Sequence, residues 1–538
     1  PVTSHSAHSD APAPAMADGG FKLNLSSLRE PLDDEDAGGG AEVQLDVAGI
    51  MASPRAQTEA VLATPRTAKR TADTSGHFKV DAPHGKGPLA IACGLSCVAT
   101  VGADQVARFW SPTGAQVADY PLHPPGACKA TPEQLEAVPA WAGFDCSGRQ
   151  LGVLRPGVGL WVLSLEPAAA DRLARGVKGS GGVAATVVDT PEGGAKGLTA
   201  CSWSNKVAGV LAAGTRTGRV AMCAAAALSP GDASELKLAT QKDGKHPGTS
   251  GKAITAAAWL DDGRLALASA QRLKVSKPVG AKAEWATFSK FYIGKMVAKI
   301  PLESVRDGDG PRYDTTPTTV AASAGSAPFL ALNLGAKVMT LMDSSGKHKE
   351  EGFFVPLDYG DICGFSWLAD SVLAIGLGNG YIVVVSTPML MKQRRNPSVS
   401  GEAAAGSKVA ADGLPSLKTT RVFEHYLAAV GSVGPTLFLL GDACLKLLRV
   451  DLTAWGTDAH LKVVAQIDLA FTPRVGAALQ NLQLCVAEPR GVRVGVSASD
   501  GTVYGFEVPT AILGAAATAG RDDEPGQLER SDSSALGV

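Results

Sequence analysis

One short pattern, returning along the chain, constrains its fold more than any other feature. An apolar stretch ends in small residues and glycine, a polar turn follows, and then a second, alternating apolar stretch. Val98-Ala99-Thr100-Val101-Gly102-Ala103-Asp104-Gln105-Val106-Ala107-Arg108-Phe109-Trp110 is the first clear case, and Leu211–Met222, Leu373–Val385, Leu437–Leu448 and Val494–Phe506 repeat it. Each predicts a β-hairpin in which Asp, Asn or Gly supplies the positive φ of a tight turn. Asp104, Asn379, Asp442 and Asp500 are the turn residues singled out, as caps for backbone amides.

Counted along the whole chain, hairpins are predicted near residues 97–110, 150–163, 210–222, 264–276, 329–341, 372–385, 437–450 and 492–508. A second piece precedes most of them: a short strand carrying an aromatic. Trp141, Trp203, Trp259 and Trp367 mark it, spaced by 62, 56 and 108 residues. Strand, turn and hairpin repeated at such intervals predict an all-β propeller, because small sheets arranged in a ring leave few exposed edges. Eight hairpins fit seven blades closed by overlapping first and last segments, the expectation adopted, or eight blades. The four tryptophans are expected to pack between blades, each burying roughly 150–250 Å².

The propeller is expected over residues 88–515. Residues 1–87 are rich in Ser, Ala, Pro, Gly and Asp, include Asp33-Asp34-Glu35-Asp36, and show no sustained apolar period, as does the tail 516–538. Both predict disorder. Low-complexity stretches near 165–197, 226–251, 302–326 and 393–419 are expected as loop insertions on the rims.

Composition narrows function. Fifty basic residues face 52 acidic ones, for a net charge of −2. No basic stripe is visible beyond Lys392-Gln393-Arg394-Arg395, so nucleic acid is not an expected partner. Nine cysteines are scattered without a Cys-x-x-Cys pair, which favours free thiols. The longest apolar run, Tyr426–Gly441, is broken by Gly431, Gly434 and Pro435, and reads as buried strands rather than a transmembrane segment.

The hairpins resemble WD repeats, although Phe109-Trp110 and Leu160-Trp161 stand where the eponymous Trp-Asp would be. Within that group, the order of segments is similar to the amino-terminal propeller of the WD repeat-containing protein 19 family, core subunits of intraflagellar transport complex A. The stretches that carry the resemblance are Ala99–Val106, Leu198–Met222, Lys252–Ser276, Gly360–Trp367 with Gly380–Thr387, and Ala498–Val503 running into Val508–Gly514. The resemblance implies a non-enzymatic scaffold of retrograde ciliary transport and cilium assembly, at the cilium or flagellum, basal body and cytoplasm. Its implied partners are the other propeller–solenoid subunits of complex A, and through them membrane-receptor cargo and retrograde dynein. A general WD-type adaptor, in a vesicle coat or a ubiquitin ligase, is the alternative.

Catalytic motifs do not assemble. His246-Pro247-Gly248-Thr249-Ser250-Gly251-Lys252 lacks the first glycine of a phosphate loop, and Ala253 replaces its hydroxyl. Gly495-Val496-Ser497-Ala498-Ser499 lies inside a predicted hairpin, not on the strand–turn–helix elbow of a hydrolase. His5 and His8 sit in the amino-terminal stretch, and His123, His348, His425 and His460 are isolated from cysteines and from one another. No catalytic residue, cofactor or metal site is therefore expected. The third reading, a propeller enzyme, would need acids, histidines or a metal around the central channel.

Overall fold

A computed structural model gives the architecture. It describes residues 75–122 (except 86), 139–177, 183–189, 197–224, 252–279, 284–298, 314–346 (except 326–327), 351–387 (except 356 and 369–371), 417–451, 460–471 (except 470), 478–487 and 491–513, together with Leu23–Asn24, Gln44–Leu45, Leu62, Lys69–Arg70, Leu236–Lys237 and Ala454.

Strand β1 (Ser75–Val80) precedes the first blade in the chain but belongs to the last sheet. The first blade is β2 (Ala90–Cys93), β3 (Val98–Val101), β4 (Val106–Trp110) and β5 (Gln116–Pro121). The second is β6 (Trp141–Phe144), β7 (Gln150–Arg155), β8 (Gly159–Leu165) and β9 (Val183–Asp189), with helix α1 (Pro167–Ala174) before β9. The third has three strands among the described residues, β10 (Leu198–Trp203), β11 (Val210–Thr215) and β12 (Val220–Ala224). Blade four is β13 (Ile254–Trp259), β14 (Leu265–Ser269), β15 (Arg272–Val279) and β16 (Glu284–Tyr292), followed by α2 (Ile293–Ala298).

Blade five is β17 (Pro317–Ala322), β18 (Phe329–Leu334), β19 (Val338–Asp343) and β20 (Glu351–Phe354). Blade six is β21 (Ile362–Trp367), β22 (Val372–Leu377), β23 (Tyr381–Ser386) and β24 (Leu417–Arg421). Blade seven is β25 (Leu427–Val433), β26 (Thr436–Gly441), β27 (Cys444–Val450) and β28 (Leu461–Asp468). The last is β29 (Leu479–Ala487), β30 (Gly491–Ala498) and β31 (Val503–Pro509), completed by β1.

The first strand of each blade touches the first strand of the next, and β29 touches β2, so the ring closes. The blade number is eight, not the seven expected. Every predicted hairpin is the second and third strand of its own blade, and the overlap that closes the ring uses a single outer strand rather than a hairpin. Closure pairs Val503 with Val80, Tyr504 with Lys79 and Gly505 with Phe78. Gly505 is needed there, because a Cβ would fall on the Phe78 ring. Ser75–Val80 thus lies ahead of the residue-88 boundary expected for the propeller and inside the amino-terminal stretch read as disordered. Most of 1–87 and all of 516–538 lie outside the described residues.

Burial explains the sequence pattern. Val338–Asp343 and Val372–Leu377 are buried at every position, since each middle strand is covered by blades on both sides. Continuous apolar runs are what such strands require. The inner strands are instead rich in small residues, as in Ala256-Ala257-Ala258 and Gly431-Ser432, because eight strands crowd around the axis. In six blades the first pair has a register shift near the start of the inner strand, for example between Ile254 and Ala256 and between Ile362 and Gly364. Such bulges bend and twist the strand locally.

Three of the expected loop insertions contain ring strands. β9 lies within 165–197, β17 begins within 302–326 and β24 within 393–419. Their strand state comes from partners, with Leu160–Leu165 pairing Val188–Val183 across β8 and β9. Residues 226–251 lie outside the described residues except Leu236–Lys237, which pair in parallel with Val188–Asp189 on blade two.

Candidate interaction site

Antiparallel order puts the turns between second and third strands at the same end of the ring as the connectors between blades. Asp104, Asn379, Asp442 and Asp500 all sit on that connector face, on blades one, six, seven and eight. They do not converge on one point, and their work differs. Asp104 Oδ1 lies 2.8 Å from His84 Nδ1, and its Oδ2 accepts from Arg108 at 2.5 Å. His84 Nε2 reaches Thr100 Oγ1 at 2.8 Å, and Trp110 Nε1 donates to the same hydroxyl at 2.9 Å. This relay fastens the connector from blade eight onto blade one.

Asp442 accepts the amides of Glu424 at 2.6 Å and Tyr426 at 3.0 Å, capping the connector from blade six. Asn379 Nδ2 donates to the Asp358 carbonyl at 2.7 Å, again on a connector. Asp500 accepts from the Thr502 amide in its own turn, at 3.0 Å. Positive φ falls on Asp442 and Ala443 in one hairpin, but on Gln105, Gly380 and Gly501 in the others. Asp442, Gly380 and Gly501 thus match the expectation of Asp, Asn or Gly at positive φ, and the first hairpin departs from it, with Gln105 in place of Asp104. Two lysines outside the sequence's candidates latch connectors too: Lys337 Nζ donates to Gly360 O at 2.6 Å, and Lys446 Nζ to Val422 O at 2.8 Å.

The tryptophans lie on inner strands. Trp203 Nε1 donates to Gly143 O at 2.7 Å, Trp259 Nε1 to Ser202 O at 3.0 Å, and Trp367 Nε1 to Ala321 O at 3.2 Å. Each bond runs to the inner strand of the preceding blade. Trp141 starts its strand rather than ending it, and its ring covers Gly143 and Gly152 beside Trp203.

Titration follows these contacts. Burial lowers the His84 pKa below the usual value, against the opposing pull of Asp104. Burial disfavours the Asp104 charge, but the hydrogen bonds from Arg108 and His84 outweigh it and hold the carboxyl below the usual range. Burial pushes the thiols of Cys97, Cys363 and Cys444 up to about 12, so they stay protonated and are poor nucleophiles. The eight inner strands, which wall the channel, contain no Asp, Glu, Lys, Arg or His at all. Among the described residues no three His, Cys, Asp or Glu gather as metal ligands.

Charge gathers elsewhere, at the junction of blades three and four. Strand pairing sets Arg272 opposite Tyr292 and Lys274 opposite both Leu267 and Lys290, so these side chains share one face of blade four. Leu265 and Leu267 on that face pack against Ala212 and Val220 of blade three. The Lys290 ammonium lies 4.9 Å from the centre of the Tyr292 ring. Its hydrogen bond and charge, followed by Arg272 and Lys295, pull the Tyr292 phenol below its usual pKa. Lys274 is lowered by burial and then by Lys290 and Arg272. Over the described residues of 252–298 seven basic residues, Lys252, Arg264, Arg272, Lys274, Lys277, Lys290 and Lys295, outnumber the acids Asp261, Asp262 and Glu284. The sequence reading missed this site because it sought consecutive charges. Here they alternate along strands (Arg272, Lys274) or arrive from Lys290 and Lys295. The excess of basic over acidic residues in 252–298 was the available signal.

No protein-family model matches the chain, and no curated protein matches it. Solved structures do. Sqt1 from Saccharomyces cerevisiae aligns with a TM-score of 0.50 at 12% identity, over 82% of this chain and 99% of that one. Sqt1 from Chaetomium thermophilum aligns at 0.51 and 15%, over 81% and 99%. The same Chaetomium protein, solved bound to the N-terminus of ribosomal protein L10, aligns at 0.50 and 15%, over 82% and 100%. At such identity the likeness establishes the fold: this chain is an eight-bladed WD40-type propeller.

Proposed function

We propose that this propeller is a non-enzymatic docking platform that holds segments of other proteins. The observation that carries the reading is the division of chemistry in the ring. Its channel strands offer no acid, base or metal-ligating carboxylate, whereas its connector face is fixed by side-chain latches and carries charge. A rigid surface of that kind suits recognition, because little ordering entropy remains to be lost on binding. Sqt1, similar in fold, is solved with the N-terminus of a ribosomal protein bound. A peptide segment is the partner class this chain shares under the proposal.

Its place, on the resemblance of Gly360–Trp367, Gly380–Thr387 and the other matching stretches, is intraflagellar transport complex A. There it contacts the propeller–solenoid subunits and, through them, receptor cargo and the retrograde dynein, at the cilium, basal body and cytoplasm. The fold likeness to Sqt1 favours a second reading, a peptide-holding adaptor outside cilia. Tagged full chain in ciliated cells separates them. Axonemal and basal-body signal with co-purified complex A subunits is expected. Exclusion from cilia with a defined set of other partners transfers the assignment to the second reading, and failure to retain any protein overturns docking altogether.

A further inference from the structure

We infer that Leu62 and Lys69–Arg70 belong to a releasable strap, which guards a docking groove on the rims of blades six and seven. The groove's occupant, once the strap leaves, is an extended segment of a partner protein that carries an aliphatic anchor ahead of a short strand. The inference rests on the docking reading above and gives that reading a place on the ring. Two separate contacts carry it. The Leu62 amide donates to the carbonyl of Arg421, the last residue of β24, at 2.8 Å. Its side chain packs, partly buried, against the apolar cluster that joins blades six and seven, which contains Val422, Leu448 and Leu461. Seven positions later, Lys69 and Arg70 pair in parallel with Ala465 and Gln466 of β28, adding a fifth strand to the outer side of blade seven. Ser75 follows Arg70 by five positions and opens β1 on blade eight. The chain therefore touches blades six, seven and eight in turn before it enters blade one.

The parts of that path hold unequally. β1 pairs with β31 at four positions and buries Phe78 at the junction of blades eight and one. Lys69–Arg70 pair with two of the eight residues of β28, and parallel pairing is the slightly weaker kind. Contacts so few open by local fluctuation well before a fully paired strand does. Ring closure needs β1 and not the strap, because the inner strands of blades six, seven and eight touch one another directly. What the strap covers is an outer strand edge and the apolar surface under Leu62. Such an edge accepts an extended segment through main-chain hydrogen bonds, and the apolar surface beside it selects an aliphatic side chain. A partner segment with both features takes over the contacts of the strap and displaces it.

A fluorescein-labelled peptide of residues 58–73, titrated with the full chain and followed by anisotropy, tests this. Leu62→Asp in the chain weakens the resident strap. The peptide should bind that variant at least about tenfold more tightly than the parent, the gain from removing a competing closed state. A peptide carrying the same Leu62→Asp change should bind neither. Equal affinity for parent and variant overturns the proposal, as does a failure to bind the variant. Matching melting curves for the two chains show that the ring is intact. Where Leu62→Asp lowers the melting curve, hydrogen–deuterium exchange on the parent decides instead. The amides of Leu62 and Lys69–Arg70 should exchange at least about tenfold faster than those of Ser75–Val80, as a separately opening strap requires. Equal rates overturn the strap. A variant that keeps every cellular partner of the parent but fails to bind the peptide leaves the docking reading intact while removing this groove.

Discussion

Charge is concentrated at two junctions of this ring, and they treat it in opposite ways. Where blade eight meets blade one, every strong charge has a partner. Arg493 donates to Glu507 at 2.5 Å and to the Gly94 carbonyl at 2.9 Å, deep in the protein, and Asp104 is shared by His84 and Arg108. Where blade three meets blade four, basic groups crowd together on one face around Tyr292, while the acids of the first turn are engaged elsewhere, Asp262 with Arg264 and Asp261 with Asn205. The first junction must survive without outside help, because it is the seam at which the ring closes. At the second, like charges sit on neighbouring strands, with Lys274 opposite Lys290, and burial together with that neighbour lowers the Lys274 pKa.

That contrast breaks most visibly at Glu507. Glu507→Gln leaves Arg493 buried without its counter-charge, and a loss of about 3–5 kcal/mol is expected in urea unfolding. Replacing both partners by Met and Leu should recover much of it. Trp203→Ala should cost a similar ~3–5 kcal/mol by opening a cavity between blades two and three. Trp203→Phe, which keeps most of the volume but loses the bond to Gly143, should cost only about 1 kcal/mol.

Acid sharpens the comparison further. His84 has its folded pKa below the usual 6.5, so the unfolded chain takes up its proton first. Stability from this group is complete above that value and is lost as the pH falls through it, whereas the contribution of Asp104 is lost only below the usual carboxylate value of 3.8. Melting temperature recorded from pH 7.5 to 5.5 should therefore fall in the parent and fall less in His84→Asn. The smallest effect, and the one of opposite sign, belongs to the basic junction. Lys290→Ala removes a like charge from Lys274 and should change stability by no more than about 0.5 kcal/mol, in the stabilising direction.

How much of this was legible in the sequence depends on where a strand gets its stability. β22 and β23 are buried on both sides, so Val372–Leu377 and Tyr381–Ser386 had to be written in Leu, Ile and Val around a glycine turn, and they read as a hairpin at sight. β9, β24 and β1 lie at outer positions, and their strand state comes from the neighbour they pair with. Val183–Asp189 and Leu417–Arg421 consequently vanish into Ala-, Gly- and Lys-rich surroundings, and Ser75–Val80 into a polar amino-terminal stretch. Blade count was lost for the same reason, since closure depends on β1. The tight turns were recognisable, yet which residue takes positive φ was not: Gln105 does so in the first hairpin because Asp104 is held by His84 and Arg108. The basic junction was invisible because Arg272 and Lys274 lie far along the chain from Tyr292 and Lys290 and meet only when β15 pairs with β16.

Hydrogen–deuterium exchange on the full chain and on Glu507→Gln tests the contrast at its source. Faster exchange concentrated at the closing seam, Ser75–Val80 and Val503–Pro509, with Arg272–Tyr292 unchanged, is the predicted result. Loss of protection spread evenly round the ring, or none at the seam, would contradict the role given to the buried pair in closing it.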